Sequence, residues 1–132
     1  MFNWFKKERK EAVLIKPVKP FNGEPKDDGN NYLMWHRWGA QSINFPLELL
    51  SDFYNELAAE DIEHVSVTLK HETEWSLSAY PSGALVYENA EEGEPRHMTG
   101  LSKEKTISLW EKLAKGDLEA IEQEKWEEGY PN

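Results

Sequence analysis

Residues 62–88, IEHVSVTLKHETEWSLSAYPSGALVYE, decide the fold of this 132-residue chain. Apolar and polar side chains alternate over residues 62–70 and again over residues 74–80, the period of a strand with one buried face. A Pro-Ser-Gly turn at residues 81–83 then leads into a returning strand at residues 84–88. Alternation, rather than a continuous apolar run, predicts an antiparallel sheet whose second face meets solvent.

Further strands are predicted on both sides of this segment. Residues 12–16 are typical of a short edge strand, because Pro17 follows them. Residues 32–38 are rich in aromatic side chains and predict a strand ended by Gly39, and residues 96–99 predict a strand after an acidic loop. The intervening residues 17–31 are rich in Pro, Gly and Asn and are interpreted as a loop.

Helix signals occur in two regions. Asn44 is a fair N-cap for a helix that should run to about Ala59, with apolar side chains at steps of three and four residues. Ser102 should cap a second helix that ends at Gly116, and Asp117 should cap a short third one.

The order of elements predicts an α+β fold, with an antiparallel sheet of about four to six strands and two to three helices packed on one face. Residues 12–132 should form a single domain. Residues 1–11 are interpreted as a flexible basic and aromatic arm, which folds back on the domain or contacts a partner or a membrane surface.

Composition excludes several classes of protein. The chain has no cysteine, which removes thiol nucleophiles and thiolate metal sites and favours a reducing compartment. No apolar run approaches the roughly 20 residues that cross a bilayer. We therefore expect a cytoplasmic protein without a transmembrane segment.

Charge is distributed unevenly along the chain. The formal net charge is −10, yet residues 1–20 carry +4 and the remaining residues carry −14. Residues 47–63 and 88–94 hold most of the acidic excess and contain no Lys or Arg. Such a surface repels nucleic acid and attracts a basic protein, although acidity can also serve solubility alone.

No motif for catalysis or for cofactor binding is present. The four histidines, His36, His64, His71 and His97, lack the spacing of a metal site. A nucleophile elbow and a phosphate-binding loop are also missing. We accordingly predict no catalytic residue, no cofactor and no metal.

The most unusual short stretch is Trp35-His36-Arg37-Trp38. On a regular strand, Trp35 and Arg37 would share one face, while His36 and Trp38 would share the other. An exposed Trp beside a charged residue is typical of an interface hot spot. The alternative is that both tryptophans belong to the core.

The leading hypothesis is a non-enzymatic acidic protein that occludes a basic protein partner. In its general properties the chain resembles bacterial antitoxins and toxin-immunity proteins, which are small, acidic and without catalytic motifs; no individual residue carries the resemblance. The candidate partner-binding residues are Glu48, Asp52, Glu56, Glu88, Glu91, Glu92, Glu94, Trp38, His36 and Tyr80.

Two alternatives remain open. One is a small-molecule-binding or enzymatic α+β domain with a site on the exposed sheet face, bounded by His36, Trp38, His71 and Tyr80. The other is a peripheral or scaffold component held in place through residues 1–11.

Overall fold

A computed structural model describes residues 18–59 and 65–132. These residues contain one antiparallel sheet of seven strands in the order β2-β1-β3-β4-β5-β6-β7. The strands are β1 (Tyr32–Trp35), β2 (Gln41–Ile43), β3 (Val67–His71), β4 (Trp75–Ala79), β5 (Leu85–Asn89), β6 (Arg96–Met98) and β7 (Glu127–Glu128). The predicted α+β class is confirmed, while the strand count exceeds the expected four to six. The predicted strand at 12–16 and the arm at 1–11 lie outside the described residues.

One additional strand arises because the predicted strand at 32–38 is in fact a hairpin. β1 ends at Trp35, and the chain reverses through a turn in which the His36 N–H donates to the Ala40 carbonyl at 2.8 Å. Gly39 lies inside that turn with a φ of 94°, a conformation that favours glycine. The alternation of side chains therefore stops at His36. The other additional strand, β7, is formed by the C-terminal tail pairing with β6.

The helices are α1 (Leu50–Asn55), α2 (Lys103–Ala114) and α3 (Leu118–Glu122), and 3₁₀ turns flank α1 at Leu47–Leu49 and Glu56–Ala58. Ser102 and Asp117 cap α2 and α3 as predicted, accepting the N–H groups of Lys105 at 3.1 Å and Ala120 at 3.2 Å.

The predicted Asn44 cap is wrong. Asn44 has a φ of 45°, and its side-chain oxygen accepts the N–H of Tyr32 at 2.9 Å instead of a helical N–H. It is thus committed to the start of β1. The first helical turn begins only after Pro46, without a side-chain cap.

All three helices cover one face of the sheet. The indole N–H of Trp110 on α2 donates to the Leu77 carbonyl of β4 at 3.0 Å, which fixes the helix on the strand. The fully buried apolar side chains of this interface include Met34, Leu50, Phe53, Val67, Leu69, Leu77, Leu85, Tyr87, Leu109, Trp110, Leu113 and Ile121. The predicted packing of the helices on one face is confirmed. No helix in the described ranges is long and apolar enough to cross a membrane.

A buried carboxylate joins three segments at the edge of this core. Glu56 is 1% exposed, and its two oxygens accept the N–H of Val18 at 2.6 Å and the N–H of Arg37 at 3.0 Å. Nδ1 of His36 lies 3.5 Å from Oε2 of Glu56. The carboxylate therefore ties the chain before β1, the β1–β2 turn and the end of the α1 region together.

A second contact fastens the loop that precedes β1. Asn30 Oδ1 accepts the ring N–H of His71 at 3.0 Å and lies directly over Gly116, which follows α2. Gly116 has a φ of 77°, and a Cβ added there would overlap Asn30 Oδ1. The loop, the end of β3 and the α2–α3 turn are packed on one another through this atom.

Replacing Glu56 with Ala should lower the free energy of unfolding by about 3 kcal/mol, because the N–H groups of Val18 and Arg37 lose their acceptor and buried His36 loses the carboxylate beside it. Urea denaturation measures this loss. The matched control is Asp52→Ala, at an exposed position of α1, which should change the free energy of unfolding by less than about 0.5 kcal/mol. Equal losses in both variants would contradict a structural role for the carboxylate.

The Gly116→Ala substitution should destabilise the protein by at least about 2 kcal/mol, since strain at positive φ adds to the overlap with Asn30. Gly93→Ala is the control, because Gly93 has a φ of 83° but nothing near an added Cβ. It should cost only about 1 kcal/mol. In an Asn30→Ala background the excess cost of Gly116→Ala over Gly93→Ala should vanish in thermal unfolding; its persistence would contradict the proposed overlap.

Candidate partner-binding surface

Antiparallel pairing brings three connections to the same end of the sheet. β1 begins beside the end of β3, where Tyr32 lies opposite His71, and β4 begins beside the end of β5, where Trp75 lies opposite Asn89. The loop before β1, the β3–β4 turn and the β5–β6 loop therefore meet at this end.

Those three connections carry most of the negative charge near the sheet. We call them the acidic end; its carboxylates are Glu24, Asp27, Asp28, Glu72, Glu74, Glu91, Glu92 and Glu94. Within residues 24–31, 72–74 and 90–95 the only basic side chain is Lys26, which lies over the Tyr32 ring at 5.1 Å. The acidic end is thus a concentrated source of negative potential.

Hydrogen bonds brace these connections against one another. Oε1 of Glu72 accepts the backbone N–H of Asn31 at 2.8 Å and its side-chain amide at 2.7 Å. These two bonds, the backbone one first, hold the pKa of Glu72 below its ordinary value. The Ala90 N–H donates to the Glu74 carbonyl at 3.1 Å, which joins the other two connections.

The sheet face opposite the helices is open beside the acidic end. On β1 and β2 it exposes Trp35 and Ile43, with relative exposures of 44% and 36%. Farther across, Val86 and His97 are buried, and the ring of His97 donates to the Gly129 carbonyl at 2.7 Å. We use the name open face for the outward surface of β2, β1, β3 and β4 together with Glu88, which lies opposite Ser76 on β5.

Two hollows of about 280 Å³ each lie in this region, one at the border of the open face with the acidic end and the other on the open face itself. The apolar hollow is bounded by Leu33 and Ile43, and the polar hollow is bounded by Trp35, Ser76 and Glu88. Lys70 and Glu74 line both hollows and form an ion pair with an Nζ–Oε1 distance of 3.0 Å. This ion pair is therefore the partition between them.

Glu88 is held in place at the border of the polar hollow. Its Oε1 accepts the hydroxyl of Tyr130 at 2.7 Å, and this bond raises the pKa of that tyrosine. The C-terminal tail thus orients a carboxylate on the open face.

The structure divides six of the seven predicted acidic residues among three places on the surface. Glu91, Glu92 and Glu94 belong to the acidic end, and Glu88 lies beside it on the open face. Glu48 and Asp52 are also exposed, but they lie on the helical segment that packs on the other face of the sheet.

Two predicted contact residues are buried and require correction. Glu56 was expected on the exposed side of the helix, yet it is the acceptor that joins Val18 and Arg37. His36 is 3% exposed because the β1–β2 turn directs its ring against Phe53, with the ring centroids 4.7 Å apart. Neither side chain is available to a partner.

The residues of the alternative small-molecule site are not brought together. Trp38 lies in the β1–β2 turn and Tyr80 follows β4, so both are at the end of the sheet opposite the acidic end. His71 ends β3 at the acidic end and faces the helices.

The prediction that Trp35 and Arg37 share one face of a strand is also wrong. Trp35 is exposed, whereas Arg37 is 4% exposed and donates to the Leu57 carbonyl at 2.9 Å.

A serine, a histidine and a glutamate do form a chain, but it is sealed. Oγ of Ser42 lies 2.7 Å from Nε2 of His36, whose other nitrogen faces Glu56. All three side chains belong to residues that are at most 3% exposed, and Ser42 also accepts the Phe21 N–H at 2.9 Å. This order of groups suits a nucleophile and its base, yet no substrate can reach it.

Among residues 18–59 and 65–132, no group of three potential metal ligands occurs.

The pKa shift of Glu72 predicts an acid-sensitive brace. Because its folded pKa lies below the ordinary 4.5, the brace stabilises the fold above that pH and is lost as the pH falls through the lowered value. The amide proton of Asn31 should therefore titrate with a midpoint below 4.5 in NMR spectra. In Glu72→Gln the same signal should show no such step; a midpoint above 4.5 in the unaltered protein would contradict the bonding described.

Comparison with known proteins gives no match to a protein-family model, to a curated protein or to a solved structure.

Proposed function

We propose that the protein is a non-enzymatic acidic binding protein that occludes a basic protein partner, in the manner of an immunity protein or antitoxin of the bacterial cytoplasm. The observation that carries the proposal is the junction of the acidic end with the apolar part of the open face. A partner with a basic active-site cleft would be covered by this surface and denied its substrate.

Charge and apolar exposure have separate roles in this proposal. The carboxylates of the acidic end attract a basic surface from a distance and speed its encounter. Trp35, Leu33 and Ile43 then provide contact area that is desolvated on binding, and tryptophan is enriched among residues that dominate binding energy. Acidity for solubility alone does not account for exposed Ile43 in a hollow with Glu72 and Glu74, or for exposed Trp35 in a hollow with Glu74 and Glu88.

Bracing of the surface also supports binding without rearrangement. The open face belongs to regular strands, and the three connections of the acidic end are hydrogen-bonded to one another through Glu72 and Ala90. Preformed surfaces lose less conformational entropy on association.

The small-molecule alternative rests on the apolar hollow, which is lined in part by His71. Burial lowers the pKa of His71, as is common in active sites. Both of its ring nitrogens are engaged, however: Nδ1 accepts the Thr73 N–H at 3.1 Å and Nε2 donates to Asn30. These bonds give the histidine a structural role, so the protein-binding proposal is preferred.

The direct test is capture of partners by the tagged full-length chain from the source organism's lysate at low salt and at about 0.5 M salt, followed by binding measurements with each purified basic protein. We expect one stoichiometric basic protein whose capture weakens at high salt and whose activity is blocked by the chain. Absence of any basic partner at both salt concentrations would overturn the proposal.

Charge reversal at Glu91, Glu92 and Glu94 to Lys should weaken that complex by roughly 100-fold or more, mainly through slower association. The matched control is reversal at Glu48, Asp52 and Glu111, which changes net charge equally on exposed helical positions. Surface plasmon resonance gives both rate constants. Equal losses in the two variants would mean that overall charge, and not the acidic end, governs binding.

A further inference from the structure

Glu74 has a positive φ, which is a backbone conformation unfavourable for any residue that carries a Cβ atom. It has a φ of 77° at the end of the β3–β4 turn, in the left-handed region where glycine is preferred. Among the described residues, the other non-glycine with positive φ is Asn44, a residue type that tolerates this region. A glycine at position 74 would relieve the strain, so the carboxylate is present at a cost to stability.

The ion pair with Lys70 does not offset that cost. The side chains of Lys70 and Glu74 are 29% and 35% exposed, and ion pairs at this level of exposure add little to stability. Removal of the carboxylate would instead change the polar hollow, because Glu74 forms the wall that it shares with the apolar hollow.

The polar hollow has the chemistry of a receptor for a cationic side chain. It presents the carboxylates of Glu74 and Glu88 and the half-exposed ring of Trp35. Thr68 of β3 and Ser76 of β4 add hydroxyl groups to its lining. A guanidinium group matches these features, since it donates several N–H groups in one plane and stacks on aromatic rings. A compact ammonium group would use the carboxylates but would stack less well.

We propose that the polar hollow is the socket for an arginine side chain of the basic partner. Glu74 and Glu88 accept its N–H groups, and Trp35 stacks on its plane. Lys70 is the resident cation that neutralises Glu74 until the partner's arginine replaces it. This inference rests on the proposed function, of which it names the chemistry of recognition.

Charge complementarity selects this occupant over others. A second copy of the chain would bring an equally acidic surface against the acidic end, and anionic lipid or nucleic acid would be repelled by it. An arginine-bearing protein surface carries the opposite charge and fits the hollow, whose volume of about 280 Å³ admits one side chain.

The first experiment uses N-acetyl-arginine-amide as the probe and the full-length ¹⁵N-labelled chain. Its titration should shift the amide signals of Thr68, Ser76 and Glu88 and the indole signal of Trp35. N-acetyl-citrulline-amide, which has nearly the same shape without the charge, should leave them unchanged. Shifts confined to residues 90–95, or equal shifts with both probes, would overturn the socket.

Three variants sharpen the test. Glu74→Gly should weaken probe binding at least tenfold while raising the thermal unfolding midpoint, because the strain is relieved. Glu74→Gln should weaken binding similarly without that rise, and Lys70→Gln should strengthen it several-fold by removing the competing cation. Glu92→Gln, an exposed position outside the hollow, is the control and should bind like the unaltered chain.

Failure of the socket and failure of the proposed function are distinguishable. If the purified basic partner loses affinity on reversal of Glu91, Glu92 and Glu94 but binds Glu74→Gly normally, the function stands and the socket is wrong. If the arginine probe binds as described but no basic protein is found, the socket stands and the occlusion of a protein partner is wrong.

Discussion

The buried carboxylate of Glu56 is the interaction on which the β1–β2 part of the structure depends. A polar group removed from water must be matched by hydrogen-bond partners, and Glu56 finds them in the N–H groups of Val18 and Arg37. This fixes the turn that reverses the chain after Trp35. Because the hairpin is held from the helix side, Trp35 on its other face remains exposed to solvent, so a stability element determines which aromatic side chain the surface presents.

The parts of the fold that follow from local sequence were predictable. The alternation in residues 65–88 specifies β3, β4 and β5, and Ser102 and Asp117 specify the starts of α2 and α3. The β1–β2 hairpin was not predictable in the same way, since the residues after Trp35 show no turn signal before Gly39. The local turn from His36 to Ala40 reverses the chain there, and the hydrogen bond from the Arg37 N–H to Glu56, about twenty residues away in sequence, ties that turn to the helix side of the sheet. A non-local hydrogen bond of this kind overrides local periodicity.

The candidate surface was only half predictable for a related reason. The acidic loop after β5 is recognisable in the sequence as a run of glutamates, and Glu91, Glu92 and Glu94 do lie at the acidic end. Antiparallel connectivity also implies that the β3–β4 turn shares that end, which would have added Glu72 and Glu74. The loop before β1 reaches the acidic end only because β1 pairs with β3, and no local sequence pattern predicts that pairing.

The acidic end shows how charge concentration and stability are opposed in this molecule. Carboxylates gathered on three neighbouring connections repel one another, and Glu74 adds backbone strain to that repulsion. The structure compensates with neutral amide side chains: Asn31 donates to Glu72, and Asn30 accepts the ring N–H of His71 above Gly116. These uncharged amides hold the loops together and leave their negative charge intact, whereas lysines in the same places would cancel it. The negative potential is thereby preserved, and the repulsion is offset by hydrogen bonds instead of by neutralisation.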